Sequence, residues 1–182
     1  MSERTTQGAA ALLGFGLTIP AANWLIGNAG TVCVPDGPCL IPVAPGVMAP
    51  SGVLMIGAAL VLRDIVQRRL GLAWACGAIA GGAVISALLA PPYLVLASVV
   101  SFLLSETVDL AVYTPLQKRS LVLAVLASGI AGLVVDSIAF LFIAFGDLSF
   151  LSGQVLGKLW MVLLALPLVA WLRRYDERRG WA

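Results

Sequence analysis

The chain has 182 residues, of which 60% are hydrophobic and 11% charged, its net charge is +2, and its mean hydropathy is +1.02. A soluble fold of this size could not bury so much apolar surface, so the composition predicts an integral membrane protein formed as one compact domain over 1–182. Histidine is absent, which excludes imidazole acid–base catalysis, histidine metal sites and Ser-His triads.

Several apolar segments are long enough to cross the ~30 Å hydrocarbon core as helices. We predict an all-α bundle of six transmembrane helices, at about 8–27, 48–67, 71–90, 92–113, 120–144 and 151–172. The breaks between them are the Gly/Pro-rich stretch 28–50, Arg68-Arg69, Pro91-Pro92, 115–120 and Gly146-Asp147. The first segment has full spanning length, so we expect a membrane helix there rather than a cleaved signal peptide.

Lysine and arginine residues outside the spans indicate the orientation of the bundle. They fall at the N-terminus, after spans two and four, and at the C-terminus, as Arg4, Arg68, Arg69, Lys118, Arg119, Arg173, Arg174, Arg178 and Arg179. The other connections contain only Asp36 and Asp147 as charged residues. By the positive-inside rule we expect both termini in the cytoplasm, with the protein in the cell (inner) membrane.

The first outer connection contains Cys33 and Cys39 around a Pro-Asp-Gly-Pro turn. Outside the cytoplasm such a pair can form a disulfide that closes a small loop. Two free thiols acting as small apolar side chains are the alternative, and the spacing alone leaves both open.

The fourth span carries two carboxylates, Glu106 and Asp109, within a long apolar run. A carboxylate at such depth costs roughly 2.5–3.5 kcal/mol on insertion scales, so two of them indicate a specific role. At 100° per residue the polar and aromatic residues of this span share one side of the helix. They are Ser98, Ser101, Phe102, Ser105, Glu106, Asp109 and Tyr113. We expect this side to face protein or a cavity.

Ionisable and amide residues within the spans fall at two depths. One tier, nearer the cytoplasm, contains Arg63, Asp64, Glu106 and Asp109, and an outer tier contains Asn23, Asp136, Gln154 and Lys158. Pairing that only holds helices together is one interpretation. However, four acids against two bases leave negative charge that must be protonated, hydrated or paired with a ligand. These residues are therefore our candidate ligand-binding residues, with Phe102 as a candidate to stack on a planar ligand.

Motifs typical of enzymes are absent. The sequence contains no paired Asp-Gly motif of lipid phosphotransferases and no phosphate-binding loop. We expect a membrane protein with no enzymatic activity, cofactor, metal or nucleic-acid partner, and a purely structural membrane protein that binds no ligand is left open. The small-residue pattern Ala10-x-x-x-Gly14 leaves a homo-oligomer or a partner helix open.

Three segments and one lysine together resemble the vitamin uptake transporter family, whose best-known branch is the queuosine precursor transporters. They are Leu62-Arg63-Asp64-Ile65-Val66-Gln67, Ser105-Glu106-Thr107-Val108-Asp109-Leu110, Val134-Val135-Asp136-Ser137-Ile138-Ala139-Phe140, and Lys158. The resemblance extends from about Asn23 to Trp171. It implies a six-helix bundle that imports a deazapurine, such as 7-cyano-7-deazaguanine, and a relationship to the substrate-binding subunits of energy-coupling-factor transporters. The cysteine-bracketed loop and Thr107 depart from the family pattern.

Two functional classes follow. The chain is either a self-sufficient transporter, with proton coupling through a carboxylate left open, or a binding subunit that needs an ATPase partner. A guanine-like edge presents an N–H and an amino group side by side, and one carboxylate can accept both. We expect Glu106 to bind this edge, with Asp109 and Asp136 as the next candidates.

Overall fold

The computed structural model describes residues 3–35, 37–90 and 92–180; Asp36 and Pro91, named above in two of the connections, lie outside them. Its helices are α1 (Glu3–Asn28), α2 (Val53–Leu70), α3 (Leu72–Leu89), α4 (Val95–Leu116), α5 (Leu121–Phe145) and α6 (Leu151–Arg179). A single 3-10 turn (Pro92–Leu94) precedes α4. The predicted helical class is confirmed.

Five of these helices are long and apolar enough to cross a membrane. The exception is α2, because Arg63, Asp64, Arg68 and Arg69 all lie in its C-terminal half. The count of six spans therefore stays a prediction. The predicted span boundaries differ most for α2, which begins at Val53 rather than near 48, and for α6, which extends to Arg179.

The all-α prediction was wrong for the stretch 28–50, which contains a small antiparallel sheet. Its strands are β1 (Val32–Cys33), β2 (Cys39–Ala44) and β3 (Val47–Pro50), in the order β1-β2-β3. Prolines argue against strands because they cannot donate to the ladder, which is why the sequence suggested only a loop. The structure accommodates them with a register irregularity after Pro42 and a strand end at Pro50, and Gly46 takes a positive φ in the β2–β3 turn.

Helix packing brings the polar side of α4 to the centre of the bundle. α4 packs along α5, α1 along α2, and α6 against both α2 and α5, whereas α3 contacts α1, α2 and α4. One apolar cluster includes Leu60, Leu133 and Val162, and a second includes Phe15 and Phe102. The predicted polar stripe of α4 is largely its buried side, so its carboxylates face protein.

The sheet lies against one end of the bundle, next to α6 and α1. The Trp160 Nε1 atom donates to the Val43 carbonyl oxygen at 3.0 Å, and the Ser51 hydroxyl donates to the Leu25 carbonyl oxygen at 2.7 Å. A Cβ atom added at Gly153 would overlap the Met48 carbonyl oxygen, so glycine is what permits this close approach. We call this end of the bundle the sheet end.

Candidate functional site

One guanidinium holds the predicted inner tier together. Arg63 on α2 places Nη1 3.0 Å from Asp64 Oδ1, Nε 2.9 Å from Glu106 Oε2, and Nη2 2.9 Å from Asp109 Oδ1. The planar fork of arginine presents five N–H donors, so it can serve three acceptors at once. All four side chains are excluded from solvent. We call these four residues the Arg63 cluster.

Further polar groups extend the Arg63 cluster. The Ser128 hydroxyl on α5 donates to Asp64 Oδ2 at 3.2 Å, and Arg63 Nη1 is 3.4 Å from Gln67 Oε1. The guanidinium also lies 5.8 Å from the centre of the buried Tyr113 ring. Tyr113 lies on the predicted polar side of α4 but was not among the candidate ligand-binding residues. Ser128 was not predicted, although it lies on the same side of α5 as Asp136, which is the signal that could have indicated it.

The predicted outer tier forms a second cluster around Lys158. Its ammonium donates to Asp136 Oδ2 at 2.6 Å, to Gln154 Oε1 at 2.6 Å and to Ser137 Oγ at 2.9 Å. Lysine has three N–H donors, so this ammonium has none left for a ligand. The pairing of Asp136 with Lys158 follows the predicted depths. We call Lys158, Asp136, Ser137 and Gln154 the Lys158 cluster.

The two clusters touch through α4. The Ser105 hydroxyl lies 3.4 Å from Asp136 Oδ1, and the next residue, Glu106, accepts the hydrogen bond from Arg63. Polar contacts therefore run from α6 through α5 and α4 to α2. Asn23 does not join either cluster, because its amide donates to the Ile19 carbonyl oxygen of its own helix.

A cavity of about 80 Å³ opens beside the Lys158 cluster, near the sheet end. Its polar lining is Asn23, Ser86, Ser98, Ser101, Asp136, Gln154 and Lys158, and its apolar lining includes Ile19, Ile26, Val53, Ile56, Phe102 and Phe140. Convergent polar groups in an otherwise apolar wall are typical of small-molecule sites. We call this the sheet-end cavity.

Five of the predicted ligand-binding residues line the sheet-end cavity, namely Asn23, Phe102, Asp136, Gln154 and Lys158. The other three, Arg63, Glu106 and Asp109, are not in its lining. Glu106, our first candidate from sequence, is instead bonded to Arg63. Phe140 and Ser86 also line the cavity but were not predicted, because their residue types are too common in membrane helices to stand out.

Cys33 and Cys39 form a disulfide between β1 and β2, where the strand register places them directly opposite. Since Pro50 follows in β3 and lines the sheet-end cavity, the disulfide stiffens a sheet that borders this cavity.

The basic residues gather at the opposite end of the bundle, which we call the basic end. Asp176 on α6, itself buried, pairs with Arg68 at 3.0 Å and with Arg69 at 2.6 Å. A cavity of about 560 Å³ opens here, lined by Arg4, Gln67, Arg68, Gln117, Lys118, Arg119, Ser120, Leu121, Arg173 and Glu177. The structure thus collects the loop cations at one end; that this end faces the cytoplasm stays a prediction.

The fold and the two buried clusters define a multi-pass helical membrane protein with a polar interior. Over residues 52–172 the chain matches the family model described as "Putative vitamin uptake transporter". This match covers well over half of the chain, which therefore belongs to that transporter family, and membership indicates transport rather than catalysis. No curated protein and no solved structure matches the chain.

Proposed function

We propose that this protein imports a small, neutral, planar heterocycle, a queuosine precursor such as 7-cyano-7-deazaguanine or a related deazapurine, and that the sheet-end cavity binds it. The observation that carries this proposal is the arrangement of the Lys158 cluster. Lys158 neutralises Asp136, so the formal charges at the cavity cancel and a neutral ligand is favoured over an ion.

Hydrogen-bonding groups remain available for such a ligand. Among the described residues, the Oδ1 atom of Asp136 accepts only the long bond from Ser105, so it can accept from an N–H edge. Gln154 accepts from Lys158 through its oxygen, which leaves its amide N–H groups to donate to a ring carbonyl. Phe102 and Phe140 add aromatic surface against which a planar ring can pack. Asp136 therefore replaces Glu106 as the residue that we propose reads the guanine-like edge.

In this conformation the sheet-end cavity is smaller than the pocket that a bicyclic base requires. Ligand pockets usually enclose ~300–1,000 Å³, whereas the sheet-end cavity holds about 80 Å³. Entry of a bicyclic base requires movement of the surrounding elements. The sheet and the last turns of α1 border the cavity through Pro50 and Ile26, which makes them the elements that we expect to move.

The test is binding of 7-cyano-7-deazaguanine to the purified protein in detergent, for the parent and for Asp136→Asn. Loss of the carboxylate that accepts from the N–H edge of the ligand should weaken binding at least ~tenfold, or about 1.4 kcal/mol. Asp147→Asn, an equivalent change at an exposed carboxylate outside the cavity, is the matched control and should bind like the parent.

Glu106→Gln completes the comparison. If it alone loses affinity while Asp136→Asn binds normally, the ligand binds at the Arg63 cluster and our assignment is wrong.

Uptake by the purified chain in liposomes then separates the two functional classes. Uptake without any other protein supports a self-sufficient transporter, whereas binding without uptake supports a subunit that needs an ATPase partner.

A further inference from the structure

The Arg63 cluster contains more negative than positive charge. Three carboxylates, from Asp64, Glu106 and Asp109, surround one guanidinium at 2.9–3.0 Å. If all were ionised, the cluster would carry a net charge of −2. Arg68 and Arg69 on the following turn cannot compensate, because both are paired with Asp176.

Solvent does not compensate for this charge either. The four side chains of the Arg63 cluster are 0–2% exposed. Removing an ion from water costs several kcal/mol even after relaxation, and an unpaired one is not repaid by Coulomb attraction. Carboxylates that share one buried site cannot all ionise, so at least one of the three holds a proton.

The contacts of the buried carboxylate oxygens indicate where such a proton resides. Among the described residues, the buried atoms without a hydrogen-bond partner include both carboxylate oxygens of Asp109, Asp64 Oδ1, Arg63 Nη2 and the Tyr113 hydroxyl. Arg63 forms ion pairs with Asp64 Oδ1 at 3.0 Å and with Asp109 Oδ1 at 2.9 Å, so the oxygen to which we assign the proton is Asp109 Oδ2. A carboxylate oxygen that receives no hydrogen bond is the one free to carry a proton itself.

The Arg63 cluster also lies between the two cavities. Towards the basic end, Gln67 contacts Arg63 and lines the larger cavity. Towards the sheet end, Ser105 and Glu106 connect Arg63 to Asp136, which lines the sheet-end cavity. A buried acid with polar contacts towards both ends is suited to exchange a proton with either side.

We propose that the Arg63 cluster is an exchangeable proton-binding site, that Asp109 carries the proton, and that its protonation is coupled to uptake of the ligand. The charged and titratable groups around Asp109 are Arg63, Asp64 and the Asp176-bound Arg68 on α2, Glu106 and Tyr113 on α4, and Asp136 on α5, which Lys158 on α6 neutralises. The coupling part rests on the proposed function, whereas the proton site does not.

Infrared difference spectroscopy of the ligand-free protein tests the site directly. A protonated carboxylic acid gives a carbonyl band that shifts in heavy water, and the parent should show one that changes with pH. Asp109→Asn should remove this band. Asp147→Asn should retain it, because Asp147 lies outside the membrane and the backbone N–H of Ser149 lowers its pKa. A parent without the band, or an Asp109→Asn variant that keeps it, would overturn the assignment.

A measurement on the parent covers the case in which Asp109→Asn fails to fold. Aspartate labelled with heavy carbon at its side-chain carboxyl moves the band to lower frequency when an aspartate carries the proton. An unshifted band would place the proton on a glutamate and contradict the assignment to Asp109.

Uptake of 7-cyano-7-deazaguanine into liposomes tests the coupling. With one proton per ligand, each pH unit of inwardly directed gradient should raise accumulation by up to ~tenfold, equivalent to about 1.4 kcal/mol. Asp109→Asn should lose this response while still binding the ligand in detergent. Uptake by the parent that ignores the gradient would refute coupling. If the parent binds no ligand at all, the proposed function fails, and the infrared result still decides the proton site.

Discussion

Lys158 and Arg63 illustrate two ways in which a single basic residue is held inside a membrane protein. Lys158 faces one acid and two neutral acceptors, so its cluster is neutral. Arg63 faces three acids, so its cluster has an excess of negative charge. The first arrangement suits recognition of an uncharged ligand, and the second suits binding of a proton. The difference arises from only two additional carboxylates.

We predict that Asp136→Asn and Lys158→Met are each more destabilising than the two changes together. Each single change leaves a buried charge without its partner, which typically costs ~3–5 kcal/mol, whereas the double change removes both charges. Thermal unfolding in detergent measures the difference.

The exposed ion pair Arg173–Glu177 is the matched control, since both side chains are about half exposed. Its removal should change stability by at most ~1 kcal/mol. A double Asp136→Asn, Lys158→Met variant no more stable than either single variant would show that the buried pair is not the main interaction of these residues.

At the scale of elements, glycines on α6 determine how closely the sheet approaches. Gly153 faces the backbone of β3 at Met48, and Gly157 faces Val53 at the start of α2. A side chain at either position would push the sheet or α2 away from α6. The sheet borders the sheet-end cavity, so its seating on α6 also shapes the ligand site.

Gly153→Ala should therefore destabilise the protein by about 1–3 kcal/mol, because its Cβ atom would overlap the Met48 carbonyl oxygen. Gly77→Ala on α3 is the control, since nothing lies within 4 Å of an added Cβ atom there. Melting temperatures of the two variants give the comparison. Equal melting temperatures would mean that the sheet is not seated on α6 as described.

At the scale of the whole molecule, the two ends of the bundle differ in charge and covering. The sheet covers one end, where the smaller cavity lies beside a neutral cluster. The other end carries the loop cations around the larger cavity. At this end Asp176 on α6 pairs with Arg68 and Arg69 on α2, and Arg179 on α6 pairs with Glu3 on α1. These ion pairs join the three helices. Basic residues gathered at one end of a helical bundle are typical of proteins that span a membrane.

We predict that the basic end faces the cytoplasm, because every loop lysine and arginine belongs to it. A reporter that is active only in the cytoplasm should be active when it is fused after Ala182. The same reporter inserted in the exposed turn at Gly46 should be inactive, because we expect this turn to lie outside the cytoplasm. The reverse pattern would invert the orientation and place the sheet-end cavity on the cytoplasmic side.

The sequence by itself determined the membrane class, the approximate helices and the depth of each buried charge. Hydropathy and the spacing of charges are properties of single segments, so they could be read without tertiary structure. The depths were enough to group Arg63 with Glu106 and Asp136 with Lys158. The polar side of α4 was also predictable, because helical periodicity depends only on the local backbone.

Only the tertiary structure decided which of these groups face a cavity. That choice depends on how each helix is rotated and on what packs above it. Glu106 and Asp136 are both carboxylates on buried helix sides. Glu106 accepts a hydrogen bond from Arg63, whereas Asp136 lines the sheet-end cavity. The sheet formed by 32–50 likewise depends on tertiary structure. Its prolines disfavour strands, and the contacts of the sheet with α1 and α6 outweigh that local preference.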